Sequence, residues 1–194
     1  MGNIAVRWSG LFLIAGAALL GIAIVRVSFQ PVVNQQFTSG TSLIFLLSSI
    51  LLLLSLPGMY FRQANSAGWL GLAGFGLLQP GILLLVVIAS TPLLYPGIKT
   101  PSGENMVVFL LGIALVIGLL LTGIATIQAK VFPLWSGILI LAATAGFFFV
   151  FFIAEFLPPI TGQIGSAFFG IVLALSLVWI GISIWTGPLT HQMG

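Results

Sequence analysis

This chain of 194 residues is 60% hydrophobic and only 4% charged, with a mean hydropathy of +1.29. A water-soluble domain carries about 25% charged residues, so lipid is the solvent that this composition fits. Five Lys and Arg against two Glu give a net charge of +3, but the basic residues stand singly, which argues against nucleic acid; the absence of cysteine excludes disulfides, thiolate metal ligands and thiol catalysis.

Arg7 precedes the first expected span, Trp8 to Val25. That run is longer than the apolar region of a secretory leader, and no Ala-x-Ala pattern precedes the loop after it. Met1, Gly2 and Asn3 begin like a myristoylation signal, but Val6 stands where Ser or Thr is required. Further runs long enough to cross about 30 Å of hydrocarbon at about 1.5 Å per residue are Ser42 to Phe61, Trp69 to Ala89, Met106 to Ile127, Trp135 to Ala154 and Ile164 to Trp185. The expected fold is an all-α integral membrane protein with six transmembrane helices in one domain over 1–194. Short connections run from Arg62 to Gly68 and from Gln128 to Pro133. Longer ones, rich in Pro, Gly and Ser, run from Arg26 to Thr41, Ser90 to Asn105 and Glu155 to Gln163.

The odd-numbered spans share a pattern in which Trp is followed two residues later by Gly and 23 residues later by Pro: Trp8, Gly10, Pro31; Trp69, Gly71, Pro92; Trp135, Gly137, Pro158. Twenty-three helical residues cover about 35 Å. Trp then anchors each helix at one interface, where its ring is apolar and its N–H stays wet, and Pro ends it at the other. The even spans echo one another: Gly58 and Gln63 match Gly123 and Gln128, while Gly181 is followed by Thr186 at the glutamine position. The chain reads as three two-helix hairpin repeats, about 7–65, 66–131 and 132–187, all oriented in parallel. Ala17 with Gly21, Ala142 with Gly146, and Ser166 with Gly170 offer small residues at the four-residue spacing that lets membrane helices approach closely.

With the N-terminus in the cytoplasm, Arg7, Arg62 and Lys130 lie inside, joined by His191 when protonated, and Arg26, Lys99, Glu104 and Glu155 lie outside. The positive-inside rule favours that orientation. Both termini are then cytoplasmic, and a plasma membrane is the expected location.

Polar residues that could carry chemistry are few. Glu104 and Glu155 are the only acids and His191 the only imidazole; they cannot assemble a metal site, and Ser9 and Ser136 have no acid and base beside them for nucleophilic catalysis. Neither a phosphate-binding loop nor a dinucleotide fingerprint is present, so no metal and no cofactor is expected. Gln79, Pro80 and Gly81 fall near the middle of the third span, where a kink frees backbone groups. Gln79 with the mid-depth hydroxyls of Ser48, Ser49, Thr144 and Ser176 is the candidate ligand site; those hydroxyls could equally just satisfy the kink. Arg26 and Glu155 are a candidate interhelical ion pair between the first and third hairpins, or each snorkels separately. The run Phe147, Phe148, Phe149, Val150, Phe151, Phe152 could stack on a flat ligand, although six consecutive residues cover every side of a helix.

Three tandem hairpins resemble the mitochondrial carriers in number. After Pro31, Pro92 and Pro158, however, Val33, Leu94 and Ile160 stand where that family's signature needs an acid, and its repeats are far longer. The expected function is that of a non-enzymatic accessory or structural subunit whose partners are the lipid bilayer and other membrane subunits. The alternative is a carrier or channel for a small neutral or hydrophobic molecule, and a lipid-modifying enzyme comes third.

Overall fold

The computed structural model describes residues 2–29, 38–95, 106–153 and 159–187. Within them the chain is all-helical: α1 (Gly2–Phe29), α2 (Ser39–Leu94), α3 (Met106–Ala129), α4 (Leu134–Ile153) and α5 (Pro159–Thr186). Four of these, α1, α2, α3 and α5, are long and apolar enough to cross a membrane, and α4 adds a shorter apolar stretch, Leu134–Phe149.

The 56 residues of α2 would reach about 84 Å if straight. They do not run straight. Gly68 adopts φ 55° and ψ −142°, a conformation open to glycine because it has no Cβ. The chain folds back there, and the rings of Tyr60 and Phe75 stack with centroids 4.9 Å apart and planes at 24°. The first arm covers 39–67 and the second 69–94. The sequence reading places a loop from Arg62 to Gly68, whereas helix continues to residue 67 and the reversal rests on Gly68. Pro57 and Pro80 are absorbed within the arms, and the helix ends two residues beyond Pro92. A second tight turn follows α3, where Lys130 takes φ 53° and the Ser136 N–H donates to the Pro133 carbonyl at 3.0 Å.

The elements close into a ring. α1 packs against α5 and α2, α2 against α3, α3 against α4, and α4 against α5. Neighbours run antiparallel, as the contacts of Gly16 with Leu52 and Gly58 with Ser9 show for α1 and the first arm, and those of Gly74 with Thr122 and Gly81 with Leu115 for the second arm and α3. The centre is filled: Leu13 and Ala17 from α1, Leu52 and Leu56 from α2, Ile140 from α4, and Ile180 and Ile184 from α5 belong to one buried cluster.

In lipid, a leucine gains little by turning from acyl chains to another helix, so association depends on close packing. Glycine supplies it here. A Cβ on Gly10 would lie 2.9 Å from the Gly181 carbonyl oxygen, and one on Gly181 2.8 Å from that of Gly10. α3 and α4 meet alike, with a Cβ on Gly137 2.9 Å from the Gly123 carbonyl oxygen. A Cβ on Gly58 would overlap Ser9. Of the small pairs read from the sequence, Ala17 and Gly21 are both buried, with Gly21 against Ala174. Gly146 packs on Phe169 although Ala142 is exposed, and Gly170 packs on Ile24 although Ser166 is only half-buried.

Candidate functional site

The four mid-depth hydroxyls are buried, and each donates its proton to a backbone carbonyl. Ser48 reaches across to Gly16 on α1 at 2.9 Å. Ser49 bonds to Phe45 at 2.8 Å, Thr144 to Ile140 at 2.7 Å and Ser176 to Leu173 at 2.7 Å. The last three are back-bonds within their own helix, the ordinary way for a hydroxyl to satisfy itself in an apolar setting. Gln79 is half-buried, one helical turn from Phe75. None of these five residues lines either of the two cavities considered below.

Arg26 is exposed at one end of a cleft of about 540 Å³ between α1 and α5. Its suggested partner Glu155 lies outside the described residues, as do Glu104, Lys99, His191, Pro31 and Pro158. The aromatic run divides: Phe147 packs on the central cluster, and Phe148 and Phe149 are exposed. The side chains of Val150, Phe151 and Phe152 lie outside the description. Trp8, Trp69 and Trp135 are all exposed, near the N-terminal ends of α1, the second arm of α2, and α4.

The end of the ring that holds Arg7, the Gly68 turn and the close of α5 carries a polar arrangement that spacing alone does not reveal. The Arg62 Nη2 donates to the Ile184 carbonyl at 3.0 Å and the Gly187 carbonyl at 3.2 Å. These are carbonyls that the end of α5 leaves without a helical partner, and a guanidinium complements the negative end of the helix dipole. Gln63, beside it, is 3% exposed, and its Oε1 has no hydrogen-bond partner. Gln63 lines a cavity of about 10 Å³ with Gly71, Phe75 and Thr122, about the space of one water. Thr126 and Ser42 also bury a hydroxyl without a partner.

The shared spacing of Gly58 with Gln63 and Gly123 with Gln128 draws attention to Gln63, but Gln128 is exposed. Identical spacing therefore places two glutamines in opposite surroundings. Nothing in the sequence marks Arg62 as the cap of a helix 122 positions away.

Among the described residues no group of three or more His, Cys, Asp and Glu side chains gathers where a metal could bind. No family model, no curated protein and no solved structure matches the chain.

Proposed function

We propose that this chain is a non-enzymatic membrane subunit, crossing the bilayer six times as three parallel hairpins and acting through its outer surface. The observation that carries this reading is the state of the interior. The centre of the ring is occupied by packed leucine and isoleucine, and Ser48, Ser49, Thr144 and Ser176 already spend their protons on carbonyls. A solute path needs a continuous line of polar groups with capacity to spare. The buried polar atoms left without a partner lie on Ser42, near the start of the first arm, and on Gln63 and Thr126, near the other end of the ring; the packed Leu52 and Leu56 separate them along the first arm. Large apolar side chains instead cover the outside, among them Leu72, Phe109, Ile117, Leu175 and Trp179, which suits lipid and neighbouring membrane proteins.

The fold-back of α2 at Gly68 supports six crossings, since each arm is longer than the roughly 20 residues that one crossing requires. Arg7, Arg62 and Lys130 fall at one end of the antiparallel ring and Arg26 at the other. That asymmetry supports a cytoplasmic position for the end that carries three cations, in a plasma membrane.

Purification from native membranes in mild detergent, followed by native mass spectrometry, tests the subunit role. A heterologous partner at fixed stoichiometry is expected; a clean monomer contradicts it. Solute flux across liposomes reconstituted with the wild type and with Gln79→Leu addresses the carrier alternative. No flux above protein-free liposomes is expected from either, and a flux lost in Gln79→Leu would establish the carrier.

A further inference from the structure

The cleft between α1 and α5 is apolar along its length and carries one cation, Arg26, at its end. Gly21 and Ala174 form its floor, where the two helices come so close that a Cβ on Gly21 would sit 3.1 Å from that of Ala174. Ala18 keeps the cleft open, while Ile22 and Leu175, both exposed, stand beside it. From Ala18 to Arg26 it runs about 12 Å along α1, close to the depth of one leaflet, which is half of about 30 Å. Arg26 stands about 27 Å along the helix axis from Trp8, so with Trp8 at one interface the guanidinium reaches the other. Among the described residues Arg26 forms no ion pair or hydrogen bond.

We infer that this cleft binds one acyl chain of an anionic phospholipid, with the Arg26 guanidinium holding the headgroup phosphate. An acyl chain matches the apolar walls and the leaflet-deep length. A guanidinium presents paired N–H donors in the fork that phosphate oxygens accept. The inference rests on the chain residing in a bilayer and not on what it assembles with there.

Native mass spectrometry of the full chain, mixed in detergent with phosphatidylglycerol or phosphatidylcholine of identical acyl chains, tests it. The wild type is expected to retain phosphatidylglycerol about five-fold better, the value of one basic residue facing anionic lipid. Arg26→Gln should erase the preference and Arg26→Lys keep most of it. Ala18→Phe, which fills the cleft from an exposed position, and Leu175→Ala, which lowers its wall, should reduce retention of both lipids. Circular dichroism and elution volume confirm that each variant is folded. Glu155→Gln should leave phosphatidylglycerol retention at or above the wild-type level. The inference is overturned if Arg26→Gln binds phosphatidylglycerol like the wild type, if Ala18→Phe and Leu175→Ala both leave retention unchanged, or if Glu155→Gln behaves like Arg26→Gln. A lipid-free dimer that both Arg26→Gln and Ala18→Phe dissociate would also overturn it, by placing a second copy in the cleft.

Discussion

Two joints at the same end of the ring are built in opposite ways. Where α1 meets α5, Gly10 and Gly181 set backbone against backbone, each leaving no room for a Cβ on the other. Where the arms of α2 meet, the stacked rings of Tyr60 and Phe75 fill the contact, and a gap of about 10 Å³ remains beside the buried Gln63. The difference follows from connectivity. The arms are tethered through one residue, Gly68, so their proximity costs little chain entropy and their packing can be loose. No such short tether joins α1 to α5; close contact has to hold them, and in lipid that means van der Waals packing over small residues.

If this contrast holds, the largest loss comes from the close joint. Gly10→Leu should destabilise the fold by about 3 kcal/mol, the upper part of the range for overpacking, because the obstructing atom at 2.9 Å belongs to the Gly181 backbone. Gly76→Leu, with nothing within 4 Å of its Cβ position, is the control and should change stability little. Thermal unfolding in detergent measures both. Gly68→Val should cost about 2 kcal/mol through the strained backbone it imposes and should leave the α1/α5 contact intact, which a disulfide engineered between those helices can report. Arg62→Gln should cost about 1 kcal/mol, less than the about 1.5–3 kcal/mol of a hydrogen bond to a charged group, because Arg62 is partly exposed to solvent screening; faster amide exchange confined to the last turn of α5 would locate the loss. The smallest effect, and the one of opposite sign, is expected at the loose joint. Gln63→Leu removes a buried acceptor that has no partner and should raise stability by up to about 1 kcal/mol. A comparable fall would mean that Gln63 is satisfied by water held in the gap.

The same contrast explains what could be read from residues alone. Helix positions were legible because a run of apolar side chains has to be about 20 residues long to cross the hydrocarbon, and the described helices contain or overlap every expected span. Gly10 and Gly137 were legible as repeated positions, and both prove to be close contacts. Faces were not legible. A span that is apolar all round carries no stripe to mark its inner side, so nothing told Gln63 from Gln128, or showed that Ser48 would bond to α1 while Ser49 bonds within its own helix. The Arg62 cap on α5 depends on ring closure, which no local pattern encodes. The sequence reads as a short connection from Arg62 to Gly68, whereas the turn rests on Gly68 alone. In the fold, Arg62 caps α5 and Gln63 is buried beside it, and neither breaks the helix.

The proposed six crossings rest on α2 folding back at Gly68, and they are open to direct measurement because the chain has no cysteine. Ser39→Cys, Asn65→Cys and Lys130→Cys each introduce a single thiol at an exposed position, to be labelled with a membrane-impermeant maleimide in sealed vesicles of known orientation. Asn65→Cys and Lys130→Cys should label from one side, the cytoplasmic one, and Ser39→Cys only from the other. Labelling of Asn65→Cys and Ser39→Cys from the same side would contradict the folded-back α2 and the six-crossing architecture with it.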